Sequence, residues 1–462
     1  MRFGFFATAL LLASVALPAH AAAPAKGDPA QEKAALDLLV KSMGFRTVQG
    51  QGQVPAYAEY LSGVLKAAGF PAEDVVVTPR GETATLVARY RGTGKGKPIL
   101  LSGHMDVVEA KREDWERDPF VAVVENGYVY GRGSADNKAG VTVMVETLAR
   151  LKREGFRPGR DLILALSGDE ETDMATTAAL AQELKGAELL LNSDAGGALL
   201  DEETGKPTVY GLQAGEKSYA DFRIAFTNPG GHSSRPSSDN AIYDVARAID
   251  AVAGYQFPAQ INELTRATLK AAAVDAPART ADAMKRFLAN QADADAVATL
   301  SADPEWIGTI RTTCVPTMLE GGHALNALPQ SAAVMVNCRI FPGVSIDTVK
   351  AKLAELAGPK AKITVLGDPV ASDASPLRPD VMAAVRKAID ARSPGLPIVP
   401  QMSSGATDSV YFRALGIPSY GVGVTYMKAS DDFAHGLNER VTVESINGGL
   451  KQWYVLLKEL AK

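Results

Sequence analysis

Three short, uninterrupted apolar runs constrain this chain most: Pro98-Ile99-Leu100-Leu101, Leu162-Ile163-Leu164-Ala165-Leu166 and Leu189-Leu190-Leu191. A strand that is apolar at every position has to be covered on both faces, which is the situation of parallel strands sandwiched between helices. The intervening sequence supplies those helices. Gly140 to Leu151 has helical spacing, and Pro55 to Ala68 places Tyr57, Leu61, Val64, Leu65 and Ala68 on one stripe, with Pro55 opening the helix and Gly69 closing it. The same texture returns at Val381 to Ile389 and Pro418 to Val424, and a closing helix is expected from Val443 to Leu460.

From about Gly215 the pattern changes. Alternating strands (Tyr219 to Phe226, Thr309 to Leu319, Ser331 to Phe341) mix with amphipathic helices (Ala241 to Ile249, Ile346 to Leu356), which predicts a separate α+β domain inserted in the first. Within it, Pro258 to Asp303 is rich in Ala and Asp with helical periodicity and reads as an elaboration of that domain. A length of 462 residues exceeds one ordinary domain. The division expected is residues 24–214 with 374–462 as a catalytic domain, and residues 215–373 as the insertion.

The first residues concern the compartment. Arg2 precedes an apolar stretch through Leu10-Leu11-Leu12 and Val15 to Leu17, followed by Pro18 and Ala19-His20-Ala21, which reads as a cleavable export signal over residues 1–21. The alternative, a membrane anchor, is disfavoured because the stretch is short for a span. No stable membrane insertion is expected once the signal is removed. The formal charge is −5 with no long basic run, so the footprint of a nucleic-acid binder is missing. Cys314 and Cys338 flank an expected hairpin, either paired across it in an oxidising compartment or left as separate buried thiols.

In open α/β sheets ligands collect at the carboxyl ends of the strands, and the residues suited to metal ligation sit there. His104 follows the first apolar run, Glu170 and Glu171 the second, and Asp194 the third. Asp136 lies in the loop Gly131-Arg132-Gly133-Ser134-Ala135-Asp136-Asn137-Lys138, before a helix starting around Gly140. His435 lies in Ala434-His435-Gly436-Leu437-Asn438-Glu439, after the last expected strand. Mixed imidazole and carboxylate ligation suits zinc, and two histidines with three carboxylates can hold two ions if one carboxylate bridges. Asp106 is placed to orient the His104 imidazole, and Glu439 to do the same for His435. A lone histidine is usually a satisfied polar residue, but these acidic neighbours shift the reading toward ligation, and an acidic pair directly after a wholly apolar strand is poorly explained as surface decoration.

Taken in order, Gly103-His104-Met105-Asp106, the Gly131 to Asp136 loop, Gly168-Asp169-Glu170-Glu171, Ser193-Asp194, Gly230-Gly231-His232-Ser233-Ser234, Asn326-Ala327-Leu328-Pro329 and His435-Gly436 resemble the M20 family of metallopeptidases. That family includes carboxypeptidases, carnosinase-type dipeptidases and aminoacylases. The resemblance implies an α/β catalytic domain, a mixed sheet flanked by helices, carrying an inserted α+β lid and dimerisation domain. It implies two Zn2+ per subunit, with Co2+ or Mn2+ as possible substitutes: His104 and Asp194 on one ion, Glu171 and His435 on the other, and Asp136 bridging. Glu170 becomes the general base, Asp106 an orienting member of the catalytic group, and His232 a residue that reaches across a homodimer to stabilise the oxyanion. Arg339, Asn326, Ser404, Gly405 and Thr407 are the implied substrate contacts, Arg339 for a carboxylate and Gly405 through close backbone approach. Asn137 departs from the pattern, standing where many relatives carry a second acid, and His323 falls outside it as a solvated turn residue.

The expected activity is that of a periplasmic metallo-exopeptidase, dipeptidase or carboxypeptidase, cutting a peptide bond next to a free carboxylate. An N-acyl-amino-acid amidohydrolase uses the same centre and is the alternative. A non-catalytic peptide-binding protein is a third reading, against which Glu170 argues, since a binder has no need of a carboxylate aimed at water.

Overall fold

The computed structural model describes residues 28–462, and the expected export signal over residues 1–21 lies outside the described residues. The largest sheet has ten strands. Its order is Val75–Arg80, Thr83–Tyr90, Leu162–Ser167, Ile99–His104, Leu189–Asn192, Ser419–Gly421, Pro207–Glu216, Gly197–Leu200 and Tyr426–Lys428, with Ile398–Ser403 also paired to Pro207–Glu216. Ile99–His104 runs parallel to both neighbours, and Leu189–Asn192 runs parallel to Ser419–Gly421. The apolar runs therefore form a parallel centre inside a mixed sheet. Antiparallel pairing begins at Thr83–Tyr90, because Gly81 at a φ of 66° closes a short hairpin with Val75–Arg80, whereas parallel neighbours need a long crossover.

Alternation along the central strands explains why the runs that open them are apolar at every position. Ile99, Leu101, Leu162, Leu164, Leu189 and Leu191 face the main core, built with the helices Pro29–Met43, Lys138–Arg153, Pro379–Arg392 and Val443–Leu460. Leu100, Ile163, Ala165 and Leu190 face a second core with Leu180, Phe412 and Ile417 on the other side. Each fully buried leucine contributes about 1.5–3 kcal/mol, and the first polar side chains, Ser102, Ser167 and Asn192, appear only where the runs give out. Several expected boundaries hold within a residue or two. Lys138–Arg153 starts two residues before Gly140, and Val443–Leu460 is as expected.

A four-stranded antiparallel sheet, ordered Thr313–Gly321, Ser331–Ile340, Ser218–Thr227 and Lys362–Leu366, has a core of its own. Phe222, Ile224, Phe226, Val334 and Val336 pack on Val245 and Ala248 of helix Ala241–Gly254 and on Val349 and Leu353 of helix Ile346–Ala357. The opposite face carries Tyr219, Asp221, Arg223 and Arg339. The edge strand begins at Thr313 and not at Thr309, because Asp303 caps a helix over Pro304–Ile310 that uses those residues. Cys314 and Cys338 are ladder partners joined by a disulfide. Four helices between Glu263 and Ile310 enclose a small core of Leu269, Met284, Phe287, Leu300 and Ile310, while Leu264 enters the core of the large sheet. The expected lid elaboration thus also braces the junction between the two sheets.

Candidate active site

The parallel strands end side by side, and the first polar residues after each converge. His104 closes its strand opposite Ser167, and Glu170, Glu171 and Asp194 follow within a few residues of the neighbouring ends. His104 Nε2 lies 2.8 Å from Asp136 Oδ1 and 3.4 Å from Asp194 Oδ1. His435 Nε2 lies 3.2 Å from Asp136 Oδ2 and 2.9 Å from Glu171 Oε1. Asp136 therefore faces one imidazole with each of its two oxygens. Ligand atoms of His104, Asp136 and Glu171 lie within 4.8 Å of one another, and so do those of His104, Glu170 and Asp194.

The electrostatics follow from gathering so many acids in one buried place. Burial lifts the Glu170 carboxyl well above its ordinary range and, with the charge of Asp136, lifts Asp194 to about 8. Burial opposes charge on His104, yet Asp194, Asp106 and Asp136 raise its pKa well above the usual imidazole value. Hydrogen bonds to Asp136 and Glu171 push His435 up to about 10. Asp136, although buried, is held below the usual carboxylate range by hydrogen bonds from both imidazoles. The group carries more negative charge than its own side chains neutralise, so it holds protons tightly. Imidazole nitrogens and carboxylate oxygens in this number fit a pair of zinc ions: His104, Asp136 and Asp194 would hold one, and His435, Asp136 and Glu171 the other.

The supporting residues depart from expectation in instructive ways. Asp106 presents its backbone carbonyl to His104 Nδ1 at 3.0 Å, while its carboxylate stands 3.6 Å from that nitrogen and accepts the N–H groups of Glu170 and Glu171 at 3.1 and 3.0 Å. It thus positions imidazole and acidic pair together. Asn137 donates to Asp194 Oδ1 at 3.2 Å and accepts from Ser193 Oγ at 2.8 Å, so an amide orients the ligand where a second acid was noted as usual. Glu439 does not orient His435 as expected. Strand Arg440–Thr442 pairs with Tyr128–Tyr130, which sets Glu439 beside Gly131 and turns its carboxylate into the Asp136 loop. There it accepts from the N–H groups of Gly133, Ala135 and Asp136 at 2.8–3.0 Å.

Of the expected substrate contacts, Arg339 lies on the open face of the four-stranded sheet, stacked 4.7 Å over Tyr219, and donates to the Ser404 carbonyl at 3.4 Å. Ser404 is exposed beside it. Thr407 is not free for a substrate: its hydroxyl is buried, donates to Glu216 at 3.0 Å and accepts from Asn192 at 3.2 Å. The Gly405 N–H is likewise engaged, donating to Ser403 Oγ at 3.0 Å. His232 and Asn326 sit together in an exposed ribbon, Gly231–His232 against Ala327–Leu328, where Ser233 N–H donates to the Asn326 carbonyl. No ion pair or hydrogen bond joins either residue to the cluster among the described residues. His323 is exposed, as expected.

Two buried residues beneath the centre have supporting roles that the motifs around them did not reveal. Asp408 accepts from Ser167 Oγ at 2.7 Å and from Thr177 Oγ1, under the His104 strand, and Arg132 pairs with Glu439 at 2.7 Å. The only signal for Asp408 was an acid between Thr407 and Ser409 ahead of a short apolar stretch, which reads equally well as a helix cap.

A sequence profile described as Peptidase family M20/M25/M40 matches residues 100–459. The chain is 28% identical over 378 residues to the N-fatty-acyl-amino acid synthase/hydrolase PM20D1 of Homo sapiens, covering 78% of this chain and 74% of that protein. It is 27% identical over 451 residues to aminoacylase-1 of Mus musculus, covering 94% and 97%. Among solved structures, an M20 family metallo-carboxypeptidase, Sso-CP2 from Sulfolobus solfataricus, has the same fold with a TM-score of 0.69 at 20% identity, over 92% of this chain and 98% of that one.

Proposed function

The chain belongs to peptidase family M20/M25/M40, and on that premise we propose that it is an exported two-zinc exopeptidase, dipeptidase or carboxypeptidase, which cuts an amide bond next to a free carboxylate. The observation that carries this reading is the position of Asp136, one carboxylate between the imidazoles of His104 and His435. Two zinc ions bound there supply Lewis acidity toward the scissile carbonyl and lower the pKa of water. Glu170 then acts as the general base. Its carboxyl lies close to His104 and Asp194, a place from which it can take a proton from the attacking water and return it to the leaving nitrogen. Arg339 holds the substrate carboxylate.

Residues 215–373 serve as lid and dimerisation domain in this reading. Val315, Met318 and Leu319 on the edge strand, with Ile242 and Tyr243 at the start of the adjacent helix, are exposed apolar side chains that suit a second copy. His232 then acts in the partner's site. The disulfide supports an oxidising, periplasmic location.

The second reading, hydrolysis of N-acyl amino acids, is favoured by the likeness to aminoacylase-1 along 94% of the chain. Unblocked dipeptides assayed against N-acyl amino acids with the same leaving residue separate the two, and turnover confined to the acyl compounds selects the second. The shared chemistry is tested with Glu170→Gln, which should retain two zinc ions while losing about 100-fold or more in kcat. Undiminished turnover would remove Glu170 as the base.

A further inference from the structure

Two cations at one end of the four-stranded sheet, Arg339 on its open face and Lys217 buried beside it, have no acidic ion-pair partner among the described residues. Lys217 stands where strand Pro207–Glu216 gives way to Ser218–Thr227, and only 1% of it is exposed. Its N–H donates to the Ser403 carbonyl at 3.0 Å, which fixes it beside the Ser403–Gly405 turn. Among the described residues its ammonium hydrogen-bonds only to Thr313 Oγ1, at 3.5 Å, the outer limit of a hydrogen bond, and it packs beside Gly308 of the helix Pro304–Ile310. Arg339 has Tyr219 as its ladder partner on one side and Thr313 on the other. Lys217, two residues before Tyr219, projects to the same side, and its reach to Thr313 takes the ammonium across the strand that carries Arg339.

Asp221, the carboxylate two residues beyond Tyr219 on this face, is already engaged by the Tyr219 hydroxyl at 2.5 Å and the Asn337 amide at 2.8 Å. Burial, reinforced by the charge of Arg339, pulls the Lys217 pKa down to about 8. A buried ammonium facing a guanidinium is unfavourable unless something brings negative charge to it. A single carboxylate leaves one of the two charges unmatched, whereas a dianion matches both. The site is also tied to the chemistry: the turn that holds both cations leads directly to Asp408, which accepts from Ser167, the ladder partner of His104.

We propose that Lys217 and Arg339 form a two-cation receptor for a dianionic terminal residue, so that the preferred leaving group is an amino acid with an acidic side chain. Arg339, half-buried at the rim, holds the α-carboxylate, and the deeper Lys217 takes the side-chain carboxylate. This rests on the hydrolase reading above and narrows its substrate class.

The test uses zinc-loaded enzyme and two matched pairs, Gly-Glu against Gly-Gln and N-acetyl-Glu against N-acetyl-Gln. The Glu member of whichever pair is hydrolysed should lead by about tenfold or more in kcat/KM, mainly through KM. Glutarate should compete at concentrations where butyrate does not. In Lys217→Met and Lys217→Gln the Glu/Gln ratio should fall toward one. A wild-type ratio of one or less, or a ratio unchanged in both variants, overturns the receptor. The comparison of glutarate with butyrate needs only wild-type protein, so variants that fail to fold leave the question decidable. Were neither pair hydrolysed, the hydrolase reading would fall, while calorimetric binding of glutarate over butyrate would still decide the receptor.

Discussion

Arg132 and Glu439, 307 positions apart in sequence, form an ion pair of 2.7 Å inside the protein, and this pair joins the two loops that face each other across the proposed ions. Glu439 gathers the N–H groups leading to Asp136, and Arg132 donates to the carbonyls of His435 and Gly436 at 3.3 and 3.1 Å. The separation between Asp136 and His435 is thereby set by two residues outside the cluster of imidazoles and carboxylates. Glu439→Gln keeps the shape and leaves the Arg132 charge buried without its partner, which should cost about 3–5 kcal/mol of stability. Zinc affinity should fall about 10–100-fold. Thermal unfolding and zinc titration check both, and a variant that matches wild type in each would deny the pair this role.

Metal-free protein should lose stability as pH rises. Asp194, lifted to about 8, and His435, lifted to about 10, hold protons in the folded chain that the unfolded chain has already released, so between about pH 4 and 10 the folded state binds more protons and each step upward in pH favours unfolding. Asp136 has the opposite sign, its contribution being lost only in acid below that window. Zinc replaces the retained protons, so the loaded protein should show a flatter profile and release protons on binding. Melting temperatures of chelated and zinc-loaded protein from pH 5 to 9 test this; parallel curves would contradict it.

The disulfide ties the edge strand to the strand of Arg339, one residue from the Thr313–Arg339 ladder pair. With a sequence separation of 24, its removal in the Cys314→Ser, Cys338→Ser double variant should cost about 3 kcal/mol. Because Arg339 sits on the loosened ladder, KM should rise more than kcat falls. Equal melting temperatures with and without reductant would show that the bond contributes little.

Charge on the apolar edge should separate a dimer. Met318→Glu with Leu319→Glu places two carboxylates where Val315, Ile242 and Tyr243 extend the same exposed surface. Sedimentation should then report a monomer, and kcat should drop with it if His232 serves the partner's site. A wild-type protein that sediments as a monomer at full activity would exclude both statements.

Much of the scaffold was legible because burial on two faces leaves its mark on every residue of a strand. Leu162 to Leu166 and Leu189 to Leu191 could be little else than covered strands, and His104, Glu170 and Asp194 announced themselves by ending such runs. The edge strand was placed too early because Thr309 and Ile310 suit a strand as well as the last turn of a helix, and the cap at Asp303 outweighs that local preference. Thr407 was assigned to the substrate by resemblance alone, because a loop motif does not tell whether a hydroxyl faces a ligand or a buried neighbour such as Glu216.

The sequence by itself determined the alternation of strand and helix, the ends of the apolar runs and the set of side chains able to ligate zinc, since each of these is written in neighbouring residues. Only the tertiary structure decided that Asp136 turns one oxygen to each imidazole, that Glu439 serves the Asp136 loop and that Lys217 lies across the strand of Arg339. Those relationships join segments tens to hundreds of residues apart, and the distances that give them energy exist only once the strands have paired and the loops have closed over them.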